Sequence, residues 1–124
     1  MLSTVMSNIF ISARDSQLLD SLKELLDRAG FTTTTFNQSK SMLEELSKCR
    51  PKCIVAEALA DKHETIEMVR AIKEKIPTVP VILVTSQAEL SHAMDAIRAG
   101  AFDFLETPIV DRLLIESLEH AIAS

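Results

Sequence analysis

The hydrophobic pattern alternates between short apolar runs and helical stripes along the whole chain. Residues 9–11 form the first apolar run. Leucines then recur at spacings of three and four, which predicts one stripe of a helix. They are Leu18, Leu19, Leu22, Leu25 and Leu26. Asp15 or Ser16 is suited to cap the start of this helix, and Gly30 stands where a helix ends in the left-handed conformation.

The second strand and helix are predicted less sharply. Residues 31–36 contain four threonines between two aromatics, which is typical of a strand. Ser41 and Glu44 have the spacing of a capping box, which predicts that a short helix begins there. This helix is expected to run to about Lys48, and Pro51 follows it.

The two most apolar runs, residues 53–56 and 81–84, are typical of strands buried on both faces. A helical stripe lies between them and ends at Pro77. Its apolar members are Ile66, Val69, Ile72 and Ile76.

The last third of the chain repeats the alternation. Ala93, Met94 and Ile97 predict a fourth helix closed by Gly100, and residues 102–105 predict a fifth strand. A final helical stripe contains Leu113, Leu114, Leu118 and Ile122. Five strands and five helices in strict alternation predict an α/β fold. We expect a doubly wound, five-stranded parallel sheet in the flavodoxin-like order 2-1-3-4-5.

Length and charge narrow the class of protein. The 124 residues fit one domain, which we expect over 8–122, with residues 1–7 as a flexible lead-in. The formal net charge of −5 argues against direct binding of nucleic acid, because phosphate binding needs clustered Lys and Arg. No apolar run has the roughly 18 residues of a membrane span, and no signal-peptide pattern is present. A cytoplasmic protein without membrane contact is the expectation.

Chemistry in such a fold collects at the carboxyl ends of the strands. These ends carry Ala13 and Arg14, then Glu57, then Thr85, and finally Thr107. The function is therefore expected to depend on these few residues.

The strand ends, in this order, resemble the receiver domain of two-component response regulators over nearly the whole chain. The most specific piece is AIRAGAFDFLETP at residues 96–108. In receivers this stretch usually ends in Lys-Pro, with an aromatic three residues before the lysine. The resemblance makes Phe104 the switch aromatic and Pro108 a candidate for a cis peptide bond, and it places Thr107 at the lysine position.

The resemblance also implies that the phosphorylation chemistry has been altered. The acidic pair that binds Mg²⁺ falls on Ala13 and Arg14, with Asp15 just beyond, and the phosphoacceptor position falls on Glu57. Thr85 keeps the hydroxyl that receivers use to contact the phosphoryl group. The expectation is a domain with no metal site, no cofactor and no catalytic residue.

Three interpretations of Glu57 remain open. It accepts a phosphoryl group, it acts as a fixed charge that mimics the phosphorylated state, or it is an ordinary paired carboxylate. Arg14 lies opposite it on a neighbouring strand, so we expect an ion pair between them. Thr85 and Phe104 are either the switch pair of receivers or simply a strand end and a core residue.

The function predicted from the sequence is a protein-interaction module in phosphorelay signalling, at the front of a transcription regulator. Its partner is expected to be an output domain or a sensor kinase. Homodimerisation is predicted through the fourth helix, fifth strand and fifth helix, whose charges are Arg98, Asp103, Arg112 and Glu116. The alternatives are a receiver phosphorylated at Glu57 and a small-molecule sensor that uses the altered pocket. An unrelated enzyme is remote, because no nucleophile–base pair or glycine-rich loop is present.

The remaining reactive side chains favour structural roles. Cys49 and Cys53 lack the spacing of redox or zinc motifs, and Cys53 opens a strand where a cysteine behaves as a small hydrophobe. Asp103 and Glu106 are expected to be solvated charges. Solvation is also expected for the three histidines, His63, His92 and His120.

Overall fold

The apolar runs form one parallel sheet in the computed structural model, which describes residues 8–86 and 90–124. The strands are β1 Asn8–Ser12, β2 Thr32–Phe36, β3 Cys53–Glu57, β4 Val81–Thr85 and β5 Asp103–Glu106. Their order is β2-β1-β3-β4-β5, and every neighbouring pair is parallel. The predicted fold class and strand order are confirmed. The predicted lead-in, residues 1–7, lies outside the described residues.

A helix follows each strand and returns the chain to the starting edge of the sheet. The helices are α1 Ser16–Arg28, α2 Ser39–Glu45, α3 Lys62–Lys75, α4 Leu90–Ala99 and α5 Asp111–Ala123. Asp15 caps α1, because its carboxylate accepts hydrogen bonds from the N–H groups of Gln17 and Leu18. Gly30 and Gly100 have φ values of +99° and +126°, as expected where helices end in the left-handed region.

Several boundaries differ from the prediction by one to three residues, and the differences at α2 and β5 bear on packing. The prediction of a capping box at Ser41 and Glu44 is wrong, because α2 already begins at Ser39. The N-cap residue of this helix is Gln38, whose side chain makes no capping hydrogen bond. Met42 is fully buried, so packing of this apolar residue positions the short helix. β5 begins one residue later than predicted, and Phe102 precedes it with 40% of its surface exposed.

The two faces of the sheet bury separate clusters, because successive strand residues point to opposite sides. We name the helices on one face the α1/α5 layer; its core residues are Ile9, Ile11, Leu22, Leu26, Cys53, Val55, Ile82, Val84, Leu114, Leu118 and Ala121. The other face is the α2/α3/α4 layer. Its larger core residues include Phe10, Met42, Ile54, Met68, Val69, Ile72 and Leu83.

The carboxyl ends of the central strands meet at one edge of the sheet. The register pairs Ser12 of β1 with Ala56 of β3, and Glu57 with Val84 of β4. Thr85 pairs with Glu106 of β5. Because these ends are level, the loops that follow them surround a common space. Within residues 8–86 and 90–124, no helix combines the length and the apolar character needed to cross a membrane.

Candidate functional site

A cavity of about 450 Å³ lies at this edge of the sheet. Its lining residues come from α1, from the ends of β3 and β4, and from the loops after β1, β4 and β5: Asp15, Gln17, Leu18, Ser21, Glu57, Val84, Thr85, Ser86 and Thr107. The structure therefore brings together four of the predicted site residues, namely Asp15, Glu57, Thr85 and Thr107. Ala13 is buried beside the cavity without lining it.

The carboxylate of Glu57 is bound by backbone amides. Its Oε1 atom accepts hydrogen bonds from the N–H of Arg14, at 2.8 Å, and from the N–H of Asp15, at 3.3 Å. The loop after β1 is fixed from both sides, since the N–H of Ala13 donates to the carbonyl of Phe36 and the Asp15 carboxylate caps α1. The amides of residues 14 and 15 are thereby directed towards β3. Hydrogen bonds to a charged acceptor contribute more than neutral ones, about 1.5–3 kcal/mol each.

The predicted ion pair between Arg14 and Glu57 is wrong. Arg14 is exposed, and the ion pairs of the described residues do not include it. Its backbone N–H, not its guanidinium, contacts the carboxylate. The physical reason is that the amide is already held in place by the strand end. A surface guanidinium would lose side-chain freedom for a net gain of at most about 1 kcal/mol.

The opposite wall of the cavity is formed by Thr85 and Thr107. Thr85 ends β4 with 1% of its surface exposed, and its hydroxyl donates to the carbonyl of Ser86. The N–H of Thr107 donates to the carbonyl of Thr85 at 2.9 Å, which continues the pairing of β4 and β5. The Thr107–Pro108 peptide bond is cis, which confirms the prediction made for Pro108. Phe104 is partly buried and packs against the α2/α3/α4 layer.

Sequence reasoning missed Thr65, which fixes the loop after β3. This residue is fully buried in α3, and its hydroxyl oxygen accepts a hydrogen bond from the N–H of Leu59 at 2.9 Å. The same hydroxyl lies 3.1 Å from the carbonyl of Leu59 and 3.3 Å from that of Asp61. The available signal was a β-branched hydroxyl residue after a loop that contains neither proline nor glycine.

A second surface lies on α4, β5 and α5, and we call it the α4–β5–α5 surface. Four large apolar residues on these elements or directly before them are exposed by 40% or more: Met94, Phe102, Val110 and Leu113. The charges on this surface form contacts within the chain. Arg98 lies 3.7 Å from Asp95, and Arg112 lies 3.4 Å from Glu116.

Two expectations of solvated side chains are wrong. Asp103 is partly buried, and its carboxylate accepts a 2.8 Å hydrogen bond from the hydroxyl of Ser117 on α5. His92 is also partly buried, and its Nδ1 atom is shielded from solvent and has no partner within residues 8–86 and 90–124. Both lie on elements whose spacing with a neighbouring helix was not readable from the sequence.

The cysteines and possible metal ligands behave more simply. Cys53 is fully buried in β3, and burial raises the pKa of its thiol to about 12, which confirms its role as a small hydrophobe. Cys49 is exposed. Among the described residues, no group of three or more His, Cys, Asp or Glu side chains is placed to hold a metal ion.

Comparison with known proteins matches residues 9–119 to the family described as response regulator receiver domain. The transcriptional regulatory protein FixJ of Bradyrhizobium diazoefficiens is 31% identical over 119 residues, covering 96% of this chain and 58% of FixJ. The DNA-binding transcriptional regulator NtrC of Escherichia coli K12 is 29% identical over 115 residues, which cover 93% of this chain and 24% of NtrC. The chain therefore spans about half the length of FixJ and a quarter of NtrC.

Solved structures agree with these matches. Full-length FixJ from B. japonicum superposes with a TM-score of 0.86 at 31% identity, covering 94% of this chain and 58% of that one. The receiver domain of NtrX from Brucella abortus gives 0.87 at 24% identity, covering 94% and 98%, and it supports the fold alone. From the parallel sheet, the convergent strand ends and the match over residues 9–119, the chain belongs to the response regulator receiver domain family.

Proposed function

We propose that this receiver domain acts as a protein-interaction module in two-component signalling and is not phosphorylated by the usual aspartate route. The observation that carries the proposal is the capture of Glu57 by the backbone amides of Arg14 and Asp15. A negative charge is thereby built into the phosphoacceptor position. It is held by donors that belong to the fold and need no metal ion.

The residues at the end of β1 do not fit Mg²⁺. This ion takes oxygen ligands in near-octahedral geometry. Ala13 offers no oxygen in its side chain, and Arg14 brings a permanent cation to the neighbouring position. Oδ1 of Asp15 is already engaged in capping α1. Two coordinating carboxylates are therefore missing from the place where a dication would neutralise phosphoryl oxygens.

Phosphoryl transfer to Glu57 faces two further obstacles. Oε1, one of its two possible nucleophilic oxygens, already accepts two N–H groups, and these lower its nucleophilicity. Thr107 stands at the position where receivers carry a lysine, so no ammonium group is available there to stabilise the transferred group. Thr85 supplies a hydroxyl at the end of β4, which does not replace a metal ion and an ammonium group.

Intact-mass spectrometry after incubation with acetyl phosphate and Mg²⁺ tests the proposal. We expect the wild type and the Glu57→Asp variant to remain unmodified. A fourfold variant with Ala13→Asp, Arg14→Asp, Glu57→Asp and Thr107→Lys is expected to gain a phosphoryl group. A wild-type adduct that disappears in Glu57→Gln would overturn the proposal in favour of phosphorylation at Glu57.

The biological setting follows from the relatives. FixJ and NtrC are transcriptional regulators, and each is longer than this chain. We infer that the domain is the N-terminal regulatory module of a transcription regulator. On this proposal it acts in the cytoplasm without enzymatic activity, and it contacts an output domain or a sensor kinase rather than nucleic acid.

The α4–β5–α5 surface is the proposed site of homodimerisation. The four exposed apolar residues on it give a self-complementary interface an apolar centre, and the paired charges give it a polar rim. Arg98→Glu and Leu113→Glu are expected to weaken a dimer followed by analytical ultracentrifugation. Glu24→Lys on α1 is the control. A dimer that is unchanged by both surface variants would place the interface elsewhere.

A second candidate function is supported by the charge of the cavity. Within the part of the chain that the structure describes, its lining includes the carboxylates of Asp15 and Glu57 and no lysine or arginine. Its volume of about 450 Å³ is within the range of small-molecule sites. A small cationic ligand would therefore suit it better than an anion. A thermal-shift screen of amines and guanidines, with Glu57→Gln as control, tests this, and a raised melting temperature in both proteins would contradict binding at this site.

A further inference from the structure

The helices α3 and α4 are joined by an ion pair that connects the cavity side of the molecule to the α4–β5–α5 surface. Nζ of Lys62 lies 2.7 Å from Oδ2 of Asp95. Lys62 is the first residue of α3, and Asp95 lies in the middle of α4. The Asp95 side chain is 27% exposed, so this pair is more shielded than the pair of Lys23 and Asp27 on α1, where the carboxylate is 43% exposed.

The electrostatics of Asp95 agree with the pairing seen in the geometry. The hydrogen bond from Lys62 is the largest influence that holds the pKa of the Asp95 carboxyl below its usual value, and the charges of Lys62, Arg98 and His92 act in the same direction. Arg98 lies 3.7 Å from the other carboxylate oxygen, one helical turn away. Asp95 therefore has cationic partners on two helices, Lys62 on α3 and Arg98 on α4.

Lys62 is also tied to the cavity through the loop that follows Glu57. The N–H of Ala58 donates to the carbonyl of Val84, and the hydroxyl of Thr65 holds Leu59. Asp61 then caps α3 by accepting the N–H of His63. Every residue between Glu57 and Lys62 except Ala60 therefore takes part in a hydrogen bond that fixes its position.

The C-terminal end of α4 also lies close to α3. A Cβ atom added to Gly100 would lie 3.3 Å from Cγ of Lys73, so the chain after α4 passes near the stem of this lysine. The ammonium group of Lys73 donates to the carbonyl of Val79. Lys62 and Lys73 are eleven residues apart, which places them on the same face of α3. Helices α3 and α4 are thus close at two places, the ion pair of Lys62 and Asp95 and the approach of Gly100 to Lys73. The ion pair is the one that can be broken without a steric change, because it depends on charge.

We propose that the ion pair of Lys62 and Asp95 is a clasp that couples the loop of residues 58–61 to α4, so that displacement of this loop releases α4 and alters its exposed surface. The clasp requires no phosphoryl group, so it stands whether or not Glu57 is ever phosphorylated. It gives a partner or ligand that moves the loop a route to the proposed interaction surface.

Hydrogen exchange followed by mass spectrometry tests the clasp. In Lys62→Gln we expect the amides of α4 to exchange about two- to fivefold faster, the range for loss of one surface ion pair, while those of α1 are unchanged. The charge swap Lys62→Asp with Asp95→Lys should restore most of the protection. Lys23→Gln is the matched control, because it breaks an exposed pair of similar length on α1 and should leave α4 unaffected.

The coupling to the loop is tested by a double-mutant cycle. Thr65→Val releases Leu59 and is expected to speed exchange in α4 in the wild-type background but much less in Lys62→Gln. Thr65→Ser keeps the hydroxyl and serves as control. Equal effects of Thr65→Val in both backgrounds, or α4 exchange in Lys62→Gln that matches the wild type, would overturn the proposal. If Thr65→Val unfolds the whole domain, the amides of α1 and α4 will exchange faster together. In that case the comparison of Lys62→Gln with its charge swap decides whether the clasp exists.

Discussion

The two layers that cover the sheet are stabilised in different ways. The α1/α5 layer is built almost entirely from leucine, isoleucine and valine, whose burial is non-directional. The α2/α3/α4 layer contains two buried methionines and several alanines, and single polar contacts of Thr65, Lys73 and Lys62 fasten it. The α1/α5 layer therefore depends mainly on apolar packing, and the α2/α3/α4 layer depends more on individual polar contacts.

The largest effect is expected in the α1/α5 layer. Leu114→Ala removes a fully buried side chain and should lower the free energy of unfolding by about 2–5 kcal/mol, measured by urea denaturation. Its neighbour Leu113 is 42% exposed, so Leu113→Ala should change stability by no more than about 0.5 kcal/mol. Similar costs for the two variants would contradict the assignment of Leu114 to the supporting core.

Substitution of the two glycines tests how much backbone strain each layer tolerates at the end of a helix. Gly100→Ala forces an L-residue to φ +126° and places its Cβ 3.3 Å from Lys73, so we expect a cost of about 1–3 kcal/mol. Gly30, which follows α1, has φ +99°, and a Cβ added there would have no atom within 4 Å. Gly30→Ala should therefore lower the free energy of unfolding by less than Gly100→Ala. Thermal denaturation of both variants measures the difference. A smaller cost at Gly100 than at Gly30 would show that the Lys73 side chain moves aside without a loss of stability.

Loss of a partly buried hydrogen bond should have a smaller effect again. Thr65→Val preserves shape but leaves the N–H of Leu59 without its acceptor, which is expected to cost about 0.5–1.5 kcal/mol. Ser117→Ala in the other layer frees Asp103, which is only partly buried, and should cost less. Urea denaturation of the pair tests the contrast. The expected contrast would be contradicted if Ser117→Ala lowered the free energy of unfolding by more than Thr65→Val.

The smallest effect concerns pH. Hydrogen bonds from Lys62 and Lys23 hold the pKa values of Asp95 and Asp27 below their usual value, with Thr33 assisting at Asp27. A depressed folded-state pKa gives stability that is present above the unfolded value, about 3.9, and is lost as pH falls through the folded value. NMR titration should show the Asp95 midpoint rising in Lys62→Gln and the Asp27 midpoint rising in Lys23→Gln, each without moving the other.

Sequence patterns predicted the strands well because apolar burial determines them. Residues 53–56 and 81–84 are buried as expected, and the convergence of Asp15, Glu57, Thr85 and Thr107 followed from the parallel order. The errors arose where a side chain chooses between partners of similar strength. Opposite charges suggested a pair at Arg14 and Glu57, but the sequence pattern contains no information on the direction of a backbone amide.

Polar partners that are distant in sequence were missed for the same reason. Thr65 reaches back to Leu59, Ser117 reaches Asp103, and Lys62 reaches Asp95 on another helix. Each contact depends on helix rotation to within a fraction of a turn. The hydrophobic period determines which face of a helix is buried, but it does not determine which polar neighbour that rotation brings close.

The capture of Glu57 by backbone amides has a consequence for the evolution of the site. Every residue except proline supplies an N–H group, so position 14 contributes its donor whatever side chain it carries, whereas the side chain of Asp15 is also needed to cap α1. The hydrogen bond from the N–H of residue 14 to Glu57 therefore does not depend on the side chain at that position. Selection at the end of β1 then acts on the path of the chain, and proline at either position is the substitution that it would remove.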